Sequence, residues 1–72
     1  MDYSYILKAI QKKGGTVNVM DLLGWEATKF DEGFHFANDL QNLNYVKLVD
    51  SNFNRNQIIV ELTAAGAEAS NQ

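Results

Sequence analysis

The sole histidine of the chain, His35, stands four residues after Asp31 and four before Asp39. On a helix this spacing stacks the three side chains on one face, an imidazole between two carboxylates. Such a stripe could hold a divalent cation or favour the charged imidazole. The softer ligands that tighten metal sites are missing, because the chain has no cysteine. A solvated face of mixed charge is the plainer expectation, and no metal is assigned. Without cysteine there is also no disulfide framework and no Cys-type zinc site. Catalysis has little to start from: no thiol nucleophile, one imidazole, no glycine-rich phosphate loop and no serine close to His35 in sequence. A chain of 72 residues also leaves little room for a pocket of ~300 Å³ or more. The expectation is a binding module without cofactor rather than an enzyme.

Charge is unevenly placed. The chain has a net charge of −3. Between Glu26 and Leu43, Lys29 stands against Glu26, Asp31, Glu32 and Asp39, so this segment holds the whole imbalance. Elsewhere Lys8, Lys12, Lys13, Lys47 and Arg55 balance Asp2, Asp21, Asp50, Glu61 and Glu68. Trp25, Phe36 and Phe53 are aromatic candidates for an interface, where such residues dominate binding energy. A short chain with a thin core claims Trp25 and Phe36 for packing first. Phe53, among asparagines, can stack on a partner or fold back.

The elements that position these residues follow from periodicity and from helix stops. A hydrophobic fraction of 46% is too high for a disordered chain. Tyr3, Ile6, Leu7 and Ile10 recur at helical spacing, with Asp2 and Ser4 as caps and Gly14-Gly15 as the stop. Thr16-Val17 is extended by preference. Asn18 caps a brief second helix that Gly24 ends, and Trp25-Glu26-Ala27 makes the turn. A third helix is predicted from Thr28, its cap, to Leu43, with Asp31 in the capping-box place. Phe30, Gly33, Phe34, Ala37 and Leu40 form its inner face, edged by Phe36 and Leu43. The small Gly33 and Ala37 imply that another helix crosses closely there. Asn44 is the stop. Tyr45–Val49 and Gln57–Leu62 read as a hairpin joined by the polar run 50–56. Thr63 caps a last helix, Ala64–Ala69, and Ser70-Asn71-Gln72 is read as a frayed end. The expected class is α+β, mainly α, with residues 1–72 as one domain. The start of the chain lacks a secretory pattern, and no apolar run nears the ~18 residues of a membrane span. A soluble cytoplasmic protein is expected.

Three helices, an extended piece after the first, a hairpin and a short terminal helix resemble a winged helix-turn-helix domain. The residues that carry the likeness are Leu22-Leu23-Gly24, Leu40-x-x-Leu43-Asn44-Tyr45-Val46 and Leu62-Thr63-x-x-Gly66. Asn44 departs from the usual glycine. Size and the closing Leu-Thr-x-x-Gly also look like the small YjcQ-type winged-helix proteins of bacteria and phage. The resemblance implies duplex DNA as partner and a role in transcription regulation. The third helix would enter the major groove and the hairpin would touch backbone or minor groove. It would present Thr28, Lys29, Glu32, His35, Asn38 and Asn42 from the helix, and Asn52, Asn54 and Arg55 from the loop. One small module makes few contacts, so this reading expects a homodimer.

The acidic third helix speaks against that reading, because a duplex carries one negative charge per ~1.7 Å. The alternative is a protein-binding winged helix. It would take a basic partner on Asp31, Glu32 and Asp39, with Trp25 and Phe53 as aromatic contacts. A third helix and hairpin that together present negative charge would favour this second reading.

Overall fold

The computed structural model describes residues 3–51 and 56–71. The cap expected of Asp2, the loop residues Asn52, Phe53, Asn54 and Arg55, and the end residue Gln72 lie outside them. The chain runs α1 (Ser4–Lys12), β1 (Thr16–Asn18), α2 (Val19–Leu23), a 3-10 turn (Ala27–Lys29), α3 (Phe30–Asn42), β2 (Val46–Ser51), β3 (Ile58–Leu62) and α4 (Ala64–Ser70). It is a mainly helical α+β fold with four helices and one three-stranded sheet.

Helices α1, α2 and α3 end in the same way. After α1, the N–H of Gly14 donates to Gln11 at 3.0 Å and that of Gly15 to Ile10 at 3.0 Å. After α2, Gly24 donates to Asp21 at 3.1 Å and Trp25 to Met20 at 2.9 Å. After α3, Asn44 donates to Gln41 at 2.9 Å and Tyr45 to Leu40 at 3.0 Å. Each pair satisfies carbonyls that the helix leaves open, and each needs a left-handed residue. Gly14 has φ 98°, Gly24 φ 68° and Asn44 φ 66°. Asparagine is the side chain that tolerates this region best, so Asn44 does the work of the glycine it replaces.

The extended piece Thr16-Val17 does more than link two helices. β1 pairs antiparallel with β3, setting Val17 opposite Val60, and β2 pairs with the other edge of β3, setting Lys47 opposite Glu61. The sheet order is therefore β1-β3-β2, where a two-stranded hairpin alone was expected. β2 begins at Val46, runs to Ser51 and carries a bulge at Val49, between the pairs Leu48–Val60 and Asp50–Ile59. Gln41 of α3 reaches the strand, its Oε1 accepting the N–H of Leu48 at 2.7 Å.

One apolar cluster gathers Ile6, Leu7 and Ile10 of α1, Val17 of β1, Val19 and Met20 of α2, and Ala37 and Leu40 of α3. Val46, Ile58 and Val60 of the sheet complete it. Phe30, Phe34 and Phe36 are half-buried against it. Gly33 sits where α3 meets α2. A Cβ built there would lie 2.7 Å from Met20 Sδ and 3.3 Å from Ile58 Cδ1, which is the close crossing that its small size implied.

Gly66 is tighter still. A Cβ there would fall 2.0 Å from the carbonyl oxygen of Tyr45. The Leu-Thr-x-x-Gly run thus has a mechanical meaning. Thr63 Oγ1 caps α4 by accepting from Gly66 N at 3.0 Å. The single hydroxyl proton of Thr63 is shared between the carbonyls of Asn44, at 2.6 Å, and Tyr45, at 3.0 Å. Gly66 lets the helix sit directly on that carbonyl.

Four local expectations are corrected. Ser4 lies inside the first turn of α1, whose N-cap position is held by Tyr3 without a side-chain bond; the first bond runs from Leu7 N to Tyr3 O at 3.0 Å. Thr28 is not the cap of α3. The chain winds a tighter 3-10 turn first, closed by Lys29 N to Glu26 O at 2.8 Å, and the α-helix begins at Phe30 with Lys29 in the cap position. Leu43 is not an edge of the core, since α3 ends at Asn42 and the Leu43 side chain is 49% exposed. Ser70 is not frayed but 1% exposed, its hydroxyl lying 2.6 Å from Ala67 O and within reach of the Gln11 amide of α1. The alanine-rich α4 packs on α1 because small side chains allow close approach.

Gly66→Ala should cost roughly 3 kcal/mol or more, because a backbone carbonyl cannot yield as a side chain can. Gly33→Ala should stay within roughly 1 kcal/mol of the parent, since the flexible Met20 end can move and alanine gains helix propensity. Urea titration of both variants checks this; equal midpoints would refute the seating of α4 on Tyr45.

Candidate functional site

At about 100° per residue, Asp31, Glu32, His35, Asn38, Asp39 and Asn42 fall within about a third of the circumference of α3. All six are exposed. The core side of the same helix is made by Gly33, Ala37 and Leu40, which are buried. The outer residues stay at the surface, and the inner ones fix how the face is presented.

The structure brings together most of the residues that the sequence singled out. Thr28 and Lys29 occupy the 3-10 turn immediately before the face, and both are exposed. Asp31, His35 and Asp39 follow one another along it, one turn apart. Among the described residues no three His, Asp or Glu side chains are grouped so as to hold a metal ion. Trp25 is half-buried after α2, with its Cε3 edge 3.6 Å from the point where a side chain of Gly33 would begin. Phe36 is half-buried and meets Tyr3 edge-on, ring centroids 5.9 Å apart at 64°. Phe36 is thus a packing residue joining α1 to α3. Asn52, Phe53, Asn54 and Arg55 lie outside the described residues.

Lys29 is placed in a way that sequence reading missed. Its Nζ lies 5.7 Å from the centroid of the Trp25 ring and 3.6 Å from Glu32 Oε2. The spacing of Lys29 and Glu32, three residues apart, gave a signal for the ion pair, whereas the approach of Lys29 to Trp25 depends on the 3-10 turn between them. Beside them opens a hollow of about 260 Å³ lined by Gly24, Trp25, Glu26, Thr28 and Lys29. Lys29 is the one cation between Glu26 and Leu43, and both its ring contact and its ion pair are internal.

On the described part of the hairpin, Lys47 sits opposite Glu61 and Asp50 adds a further carboxylate. The described strands therefore add no positive charge to the acidic face. Lys8, Lys12 and Lys13 belong to the first helix and its cap, and α1 packs chiefly on α4, β1 and β3. A groove of about 440 Å³ opens between α1 and the end of α4, lined by Lys8, Gln11, Lys12, Ser70 and Asn71. It is roomier than the chain length implied, yet it offers two ammonium groups, two amides and a hydroxyl already engaged by Ala67. No helix among the described residues is long and apolar enough to cross a membrane.

Comparison with known proteins finds no matching family model, curated protein or solved structure.

Glu32 and Asp39 are exposed, so their charges should be removable without loss of fold. Glu32→Gln with Asp39→Asn should shift unfolding free energy by no more than about 0.5 kcal/mol. A thermal melt checks this, and a collapse of the transition would mean that these carboxylates are structural.

Proposed function

We propose that the chain is a winged helix-turn-helix domain used as a protein-binding module, which receives a basic partner on the outward face of α3. The fold part of this reading is supported by the order α1-β1-α2-α3-β2-β3 and by the antiparallel sheet β1-β3-β2. It is supported too by the close meeting of α2 and α3 at Gly33.

One observation carries the choice of partner. Asp31, Glu32 and Asp39 stand exposed on one arc of α3, while the neighbouring lysine is drawn onto Trp25 and Glu32. A duplex brought to this face would meet like charge, whereas lysines and arginines of a partner would meet opposite charge. Asp31 and Glu32 stand in the first turn of α3, where the helix dipole favours them, but Asp39 lies toward its C-terminal end, where the dipole does not, so its place on the arc supports recognition.

A second reading, a transcription regulator on duplex DNA, draws support from the same arc. Thr28, His35, Asn38 and Asn42 are exposed there, and uncharged donors and acceptors of these kinds read base edges. In that reading Lys29 and Arg55 would supply phosphate contacts, and two copies would share the site.

Fluorescence anisotropy with two labelled probes separates the readings: a short arginine- and lysine-rich peptide, and a duplex of random sequence. The parent chain should bind the peptide, less so as salt rises, and leave the duplex alone. Combined Asp31→Lys, Glu32→Lys and Asp39→Lys should weaken peptide binding at least about tenfold and raise duplex affinity. Reversing the exposed Asp21, Glu61 and Glu68 instead changes net charge equally and should leave most peptide binding in place. Duplex binding by the parent that falls on Lys29→Ala, with no peptide binding, would overturn the proposal.

A further inference from the structure

We infer that Trp25 and Glu32 form a seat for an arginine side chain of the basic partner, and that Lys29 occupies this seat in the unbound domain. The inference rests on the reading of α3 as the face of a basic partner and names where that partner's specificity lies.

Trp25 is the only tryptophan of the chain. Its six-membered ring is held at one edge by the α2–α3 crossing, Cε3 lying 3.6 Å from the position of a Gly33 Cβ. Its orientation is therefore set by the core. One ring face carries the Lys29 ammonium at 5.7 Å, and the Glu32 carboxylate lies 3.6 Å from the same ammonium. A π-face with a carboxylate beside it is a cation site, and here its occupant is tethered to the same chain.

The occupant is held loosely. The side chains of Lys29 and Glu32 are 51% and 64% exposed, so water screens the pair and competes for both partners. The hollow of about 260 Å³ beside Trp25 leaves space for an incoming side chain, with Glu26 on its rim. A guanidinium suits this seat better than an ammonium does. It is planar, stacks on an indole, is more weakly hydrated and can take a carboxylate with two parallel hydrogen bonds. An arginine presented by a partner displaces Lys29, which swings into solvent without disturbing the turn that bears it. Lys29 thereby acts as an internal competitor and sets a threshold against weak cations.

The test uses an arginine-rich peptide and its lysine-for-arginine counterpart of equal length and charge, each titrated while Trp25 emission and peptide anisotropy are followed. Lys29→Met is compared with Lys47→Met, which removes one exposed lysine from β2. Circular dichroism confirms that both variants keep the parent fold. In the parent chain the arginine peptide should shift Trp25 emission. Lys29→Met should tighten the arginine peptide about three- to tenfold and the lysine peptide less, while Lys47→Met tightens both slightly and alike. Equal gains from the two substitutions would overturn the seat, as would Trp25 emission that stays unchanged at saturation. If binding is still lost on charge reversal of α3, the reading of that face survives. Both readings are overturned if neither peptide binds, or if the parent binds duplex and Lys29→Met weakens that binding.

Discussion

Where β1 passes straight into α2, a single amide holds three elements to one another. Asn18 Oδ1 accepts from Met20 N at 3.1 Å, capping α2, and from Ile58 N at 2.9 Å, fixing the start of β3. Its Nδ2 donates to Asn56 O at 3.1 Å. Both lone pairs of the oxygen are used, so the direction of α2 relative to the sheet is tied to the side chain of one residue. That direction decides where Met20 points, Met20 decides how near α3 can come at Gly33, and the crossing decides which way the acidic face looks. An aspartate would keep the two accepted bonds but lose the donated one, and a serine is too short to span the three groups.

Much of this was legible in the sequence, and the parts that were share a cause. Gly24 and Asn44 marked helix ends because a left-handed residue is a local requirement that few side chains meet. Gly33 and Ala37 marked a close crossing because small residues inside a bulky stripe have little other use. What escaped depended on partners far along the chain. Thr16-Val17 reads as extended, but three residues are too few to show a strand, and Thr16–Asn18 become β1 only because β3 arrives beside them. Ser70 reads as a polar tail until α1 supplies Gln11. Thr28 was a sound cap by type, but Trp25 and the 3-10 turn took the chain into α3 by another route. For the candidate face, the stripe of charges was readable from spacing alone. The stacking of Lys29 on Trp25 needed the turn that joins them.

The division of labour along α3 explains how a chain of this size can carry both a core and an exposed charged face. Its buried residues Gly33, Ala37 and Leu40 occupy little breadth, so the crossing with α2 is close. The half-buried phenylalanines widen the apolar stripe without reaching the outer arc. Thr63 and Gly66 then clamp the far end of the sheet on the Asn44–Tyr45 turn, so the end of α3 and the start of β2 move as one piece. On the proposed reading, a partner docked on the outer arc would meet a face anchored to the core from beneath, and little ordering entropy would be lost on binding.

The bond from Gln41 to Leu48 bears on how this protein behaves when crowded. β2 is an outer strand, and the open N–H groups of such a strand invite a stranger's backbone to pair with it. The glutamine amide occupies the Leu48 N–H as a neighbouring strand would, and the bulge at Val49 throws the following residues out of register for continuous pairing. Together they blunt the edge of β2 against fibril-like growth, leaving encounters along that edge to side chains rather than to exposed backbone.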